Sequence, residues 1–260
     1  MNTGLSGRVV LVTGGAGGLG AAAASAFHDE GARVVLVDRD RERVTQVARD
    51  IGANCRPCEL DLCVEADVEQ TLGALQDELG HVAVLVHCAG IARGPDQMGP
   101  NGWLSMQDVS ISDWQTVLTT NLTATFLINR TVARSMIAAG WGRIINVASM
   151  SALVANRGLS GLGPYAASKG GVISLSRVLA AEWAQHGITV NCISPGYMAT
   201  SMGTRSQSIP GFRELQIDMN PQRRLGEPNE FANAAVYLAS DGAAHVNGHN
   251  LVIDGGYTVW

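Results

Sequence analysis

Tyr165 and Lys169 stand four residues apart, just after Pro164, a residue suited to a first helical turn, so the phenol and the ammonium share one helix face. A phenol ionises near pH 10 and is a poor base at neutrality, but an adjacent ammonium favours phenolate and lets the pair move a proton. Taken alone, such a pair is common on helix surfaces. A second candidate is the run Thr13-Gly14-Gly15-Ala16-Gly17-Gly18-Leu19-Gly20, which follows an apolar stretch and opens a helical one. Glycines there let the backbone turn tightly, and a helix N-terminus presents free N–H groups and a positive dipole end to a phosphate. Asp38 lies 18 residues beyond Gly20, at the end of the next apolar run. A carboxylate there accepts both hydroxyls of an adenosine ribose and repels a 2′-phosphate. With no Lys or Arg between Gly14 and Gly20, both features favour NAD over NADP, Arg39 alone dissenting.

Short β-branched runs that alternate with helical stretches must position these groups. Val9 to Thr13, Arg33 to Val37, Val82 to His87, Arg143 to Val147, Thr189 to Ile193 and Asn250 to Ile253 read as strands, with a weaker one at Cys58 to Leu60. Helices are expected at Leu19 to Glu30, Arg41 to Ile51, Glu65 to Leu79, Ser112 to Ala139, Pro164 to His186 and Glu227 to Ser240. The alternation predicts an α/β protein: one doubly wound Rossmann-type domain over residues 1–260, with a parallel sheet of about seven strands and helices on both faces. Two connections are long, 91–111 and 197–226, and with 150–163 they are the expected substrate loops.

Composition narrows the function. The 260 residues are 46% hydrophobic and 16% charged, with 18 Lys and Arg against 23 Asp and Glu. A net charge of −5 with no basic run excludes a nucleic-acid or anionic-membrane footprint. Apolar runs are too short for a signal-peptide core or a membrane span, which predicts a cytoplasmic protein. The sparse charge and the two long helices predict a homotetramer. Cys55 and Cys58 form a lone C-x-x-C pair, read as small, partly buried thiols because no second pair or histidine partner stands at ligand spacing; no metal site is expected.

The order of motifs along the chain is more specific than any one of them. The Thr13 to Gly20 turn, Ala89-Gly90, Asn121, Ser149, Tyr165 with Lys169, and Pro195-Gly196 together resemble the short-chain dehydrogenases/reductases over nearly the whole length. That resemblance implies that Tyr165 is the catalytic acid or base, that Ser149 holds the substrate oxygen, that Lys169 binds the nicotinamide ribose and lowers the tyrosine pKa, and that Asn121 holds a proton-relay water. It also implies a cofactor surface in which Gly14, Gly18, Leu19 and Gly20 face the pyrophosphate and Asp38 the adenosine ribose. Asp61 and Leu62 would face the adenine, Ala89 and Gly90 the adjoining ribose, and Pro195, Gly196, Met198 and Thr200 the nicotinamide end. The sequence departs from the family at His87 and Cys88, where two asparagines are usual, and in the spacing of 16 between Ser149 and Tyr165, which is a few residues long. His87, ending a strand, reads as a hydrogen-bonded structural residue.

Further stretches, among them Ser149-Met150-Ser151, Asn156-Arg157 and the ending Asp254 to Trp260, are similar to polyol dehydrogenases of that family. Ser151, Asn156 and Arg157 would offer donors to a hydroxyl-rich small substrate, such as a polyol, sugar alcohol or vicinal diol, or else cap their own loop. Two alternatives stay open: a reductase of an acyl-carrier-bound or alicyclic ketone, and a dinucleotide-sensing protein without chemistry. The apolar tail Tyr257 to Trp260 reads either as docked on its own subunit or as packed at a subunit interface near the substrate cleft.

Overall fold

A computed structural model describes residues 3–94, 98–99, 102–156, 159–200 and 211–260. The elements in order are β1 (Val9–Thr13), α1 (Gly18–Asp29), β2 (Arg33–Asp38), α2 (Arg41–Ile51), β3 (Cys55–Glu59), α3 (Glu65–Leu79), β4 (Val84–His87), β5 (Met98–Gly99), β6 (Gly102–Trp103), α4 (Ile111–Leu118), α5 (Ala124–Ala139), β7 (Gly142–Val147), α6 (Gly163–Trp183), β8 (Ile188–Pro195), α7 (Phe212–Asp218), α8 (Pro228–Ala239) and β9 (Asn250–Ile253).

Seven of the strands form one parallel sheet in the order β3-β2-β1-β4-β7-β8-β9. Pairing is in continuous register, with Thr13 of β1 beside Val37 of β2 on one side and His87 of β4 on the other. Successive residues of β1 feed opposite faces. Val10 and Val12 pack with Phe27 of α1, Val44 of α2 and Phe231 of α8, whereas Val9 and Leu11 pack with Leu72 of α3, Ile128 of α5 and Trp183 of α6. Both faces are therefore covered, and each fully buried Phe or Leu contributes roughly 1.5–3 kcal/mol of transfer free energy.

Local chemistry sets the helix ends. The Asp40 carboxylate accepts from the Arg43 N–H and the Ser110 hydroxyl from the Asp113 N–H, each capping its helix, while Glu227 and Glu230 form a reciprocal capping box at α8. α5 stops at Gly140, whose φ of 67° is the left-handed conformation that glycine adopts freely.

Four expectations are corrected. The helix expected from Ser112 to Ala139 is two helices, α4 and α5, joined by a π-turn over Thr119–Thr123. The connection 91–111 carries the short antiparallel pair β5-β6, and 197–226 carries α7. The weak strand is β3, displaced to Cys55–Glu59, and α6 ends at Trp183 in a 3₁₀ turn, Ala184–His186. All five cysteines are free; Cys55 and Cys58 lie on β3, where burial raises both thiol pKa values.

Candidate active site

The carboxyl ends of the strands bring the chemistry-bearing residues together, at the point where β1 and β4 lead their chains to opposite sides of the sheet. A cleft of about 740 Å³ runs over this edge, lined by Gly14, Gly18, Leu19, Gly20, Asp38, Asp61, Leu62, Ala89, Gly90 and Thr200. α1 opens on Gly17 with no side-chain cap and no acid in its first turn, so its N-terminal N–H groups remain free for an anion. The turn is dense. A Cβ on Gly20 would lie 2.3 Å from the Gly14 carbonyl oxygen, and one on Gly14 would lie 2.8 Å from the Ala89 nitrogen. Asp38 fixes this turn from below: its Oδ2 accepts from the Ala16 N–H at 3.0 Å and its Oδ1 from the Asp40 N–H at 3.2 Å. Arg43, from α2, donates to the Ala16 carbonyl at 3.0 Å. A glycine-lined helix start with a carboxylate at the end of β2 fits a dinucleotide, and these are the residues that can hold it.

A smaller cavity, about 170 Å³, shares Leu19, Cys88, Gly90 and Thr200 with that cleft. Ser149, Tyr165 and Lys169 line it together, with Pro195, Gly196 and Met198 from the end of β8. Ser149 is extended, and its hydroxyl oxygen accepts from the Ser151 N–H at 3.1 Å, so its proton is free to be given elsewhere. Lys169, buried, donates to the Val147 carbonyl at 2.7 Å; its ammonium stands 5.9 Å from the centre of the Tyr165 ring. Burial pushes Lys169 down to about 8. Burial also raises the Tyr165 phenol, with the Ser149 hydroxyl acting the other way. Desolvation thus dominates the Tyr165 phenol, and the lowering that a lysine one turn away suggests is not seen.

Asn121 sits in the π-turn, fully buried behind the cavity rather than on its wall. Its amide Nδ2 donates to the Ile91 carbonyl (2.8 Å) and the Ser168 hydroxyl (3.0 Å), and its Oδ1 accepts from the Ile91 N–H (2.8 Å). Both amide donors are used and the oxygen accepts once. It clamps the chain leaving Gly90 against α6, since Ser168 in turn donates to the Tyr165 carbonyl at 2.7 Å.

The family model described as enoyl-(acyl carrier protein) reductase matches residues 14–258. The D-threitol dehydrogenase of Mycolicibacterium smegmatis is 41% identical over 98% of this chain and 94% of its own length, and the galactitol 2-dehydrogenase (L-tagatose-forming) of Cereibacter sphaeroides is 38% identical over 98% and 97%. The chain belongs to the short-chain dehydrogenase/reductase family. A crystal structure of a short-chain type dehydrogenase/reductase from Mycobacterium marinum superposes with a TM-score of 0.90 at 32% identity, covering 98% of this chain and 97% of the other.

Of the residues expected to face a substrate, Ser151 and Asn156 line the smaller cavity, while Arg157 lies outside the described residues. Asn156 donates to the Tyr197 hydroxyl at 3.3 Å, so it supports the wall as well as forming it. Sequence reasoning missed Arg93, Tyr197 and Gln216 of the same lining. Each lies in a connection whose path no periodicity predicts; the signal available was a polar or charged side chain inside a long loop of a family enzyme. His87 is buried beside the cavity, its Nδ1 2.7 Å from the Thr13 hydroxyl, which also accepts from the Ala89 N–H at 3.3 Å. Burial pushes its pKa down to about 3 and the Lys169 charge adds to that, so the ring is neutral at physiological pH and holds structure, as its strand-end position suggested.

Proposed function

We propose that this protein is an NAD-dependent oxidoreductase that interconverts a secondary alcohol and its ketone on a small polyol, sugar alcohol or vicinal diol. The observation that carries the reading is the convergence of Ser149, Tyr165 and Lys169 on one small cavity that opens into a glycine-floored dinucleotide cleft. A nicotinamide dinucleotide, when bound, supplies the hydride acceptor or donor. In alcohol oxidation, Ser149 and Tyr165 grip the substrate oxygen and Tyr165 takes its proton; in ketone reduction Tyr165 returns it. Lys169 gives the site its positive charge and a donor for a ribose hydroxyl. Asn121, its side chain committed to Ile91 and Ser168, positions Gly90 and the first turn of α6. Its main-chain carbonyl accepts from Thr125 Oγ1 at 2.6 Å.

The substrate class rests on polar groups that suit several hydroxyls, namely Ser151, Asn156, Tyr197 and Gln216, and on the threitol and galactitol dehydrogenases among the relatives. The cavity volume falls below the roughly 300–1,000 Å³ of pockets for drug-sized ligands, which favours a short chain. The choice of NAD rests on Asp38, and the substrate loops on the contributions of 91–111, 150–163 and 197–226 to the lining. We also propose a homotetramer in the cytoplasm: Phe126 and Ile137 on α5 and Val178 on α6 are exposed apolar side chains on the long helices. No described helix is long and apolar enough to cross a membrane. The test is a spectrophotometric screen at 340 nm with NAD and NADP against alditols, sugars, diols and cyclic ketones. NAD-linked oxidation of alditols or diols is expected; activity confined to acyl-carrier or cyclic ketones would overturn the reading.

A further inference from the structure

Arg93 is a cation in the cavity wall with no ion-pair partner among the described residues. It leaves the end of β4 three residues after Gly90 and stacks on Trp103 with its guanidinium carbon 4.1 Å from the ring centre. Both terminal nitrogens, Nη1 and Nη2, are shut off from solvent and have no hydrogen-bond partner among the described residues. A Cβ built on Gly161 would lie 3.2 Å from Nη1, so the loop before α6 closes over the group. Burial lowers its pKa to about 10, which still leaves it protonated at neutral pH. Among the described residues, the lining of this cavity contains two cations, Arg93 and Lys169, and no Asp or Glu.

An unpaired buried guanidinium is costly, and stacking on one indole offsets only part of that cost. Four N–H groups in a planar fork match the two oxygens of a carboxylate or the edge of a phosphate, whereas a neutral hydroxyl satisfies one or two of them. Lys169 gives one of its three donors to the Val147 carbonyl and presents a point charge rather than a planar fork. Arg93 and Tyr165 line the same cavity of about 170 Å³, so a short molecule bound there lies between the two. We propose that the substrate is an anionic polyol, a polyhydroxy acid or polyol phosphate, whose charged end is held by Arg93 while a secondary hydroxyl is presented to Ser149 and Tyr165. Gln216, buried with its Oε1 unpartnered, is placed to accept from a hydroxyl between the two ends. This rests on the alcohol-oxidoreductase reading and narrows its substrate.

The experiment compares four- to six-carbon alditols with the aldonates and alditol phosphates of matching configuration, by NAD-linked turnover and by calorimetric binding to the enzyme with NADH, in the native protein and in Arg93→Gln and Arg93→Lys. The native enzyme is expected to prefer an anionic member over its alditol by about ten- to a hundredfold in kcat/KM, the scale of hydrogen bonds to a charged group. Arg93→Gln should bring that ratio towards one through KM rather than kcat, with NADH affinity kept, and Arg93→Lys should restore part of it. A native enzyme that uses alditols as well as aldonates and phosphates overturns the proposal and leaves the alcohol-oxidoreductase reading standing. So does an Arg93→Gln variant that depresses every substrate alike. Conversely, Arg93-dependent calorimetric binding of an aldonate without turnover of any alcohol supports the anion site and overturns the oxidoreductase reading.

Discussion

Replacing His87 by asparagine, the residue usual at this position in the family, should make the protein less sensitive to acid. The folded imidazole has a pKa of about 3 because it is buried against Lys169, against about 6.5 when unfolded. A group whose folded pKa is depressed gives stability that is present above the unfolded value and lost as pH falls towards the folded one. At pH 4.5 the unfolded chain binds this proton and the folded chain does not, which over two pH units corresponds to about 3 kcal/mol. Asparagine does not titrate, so the difference cancels every carboxylate common to both proteins. Urea unfolding at fixed protein concentration, at pH 7.5 and 4.5, should show the native protein losing about 3 kcal/mol more than His87→Asn. The concentration must be held because assembly adds to apparent stability. Parallel losses in the two proteins would refute the argument and mean that the ring is solvated or charged in the fold.

Tyr165→Phe removes one hydroxyl and should lower kcat by about 10²–10⁴-fold while leaving NADH binding, read by fluorescence titration, nearly unchanged. Asp38→Ala should narrow the preference for NAD over NADP in kcat/KM, and because Asp38 also accepts from Ala16 and Asp40, it should weaken binding of both cofactors; an unchanged ratio would sink the carboxylate argument. Deleting Tyr257 to Trp260 should raise KM for substrate more than for NAD, because Tyr257 packs edge-on against Tyr197 with ring centres 5.7 Å apart and the Trp260 indole donates to the Met219 carbonyl at 3.1 Å, near the wall and far from the glycine turn. Light scattering at micromolar concentration should give the mass of four 27.3 kDa chains.

What the sequence made legible was what repeats or what is local. β1 could be read to the residue, since five β-branched or apolar positions followed by a glycine turn leave no other register. Tyr165, Lys169 and Ser149 were found because their order is shared by a family, and their arrival in one cavity follows from strands that all end on one edge. The break in the helix around Asn121 was illegible: residues 119–123 have no Pro or Gly, and the bonds that accompany the π-turn run to Ile91 and Ser168, which are distant in sequence. Arg93 was invisible for a related reason, since what marks it is a missing partner, and only three-dimensional packing can show that. The sequence leaves the tail either docked locally or packed at an interface. Its Tyr257 and Trp260 make local contacts, while Val259 and most of Trp260 remain exposed.

The π-turn also acts as a phase adjuster along one continuous rod. An α-helix advances about 100° per residue, so two functions on one helix agree in direction only if their separation fits that step. Here the residues before and after the turn serve different masters: Asn121 must aim at the chain leaving β4, while Ile128, Val132 and Met136 must aim at the sheet. Widening one turn absorbs the mismatch without a bend or a loop. Deleting a single residue within 119–123 would let regular helix reform with α4 and α5 still in phase, but it would remove the widened turn that presents Asn121 to Ile91 and Ser168. In this protein the count of residues between Val117 and Ile128 is thus itself a specification, and length variation between homologues is expected to avoid this segment and collect in the loops.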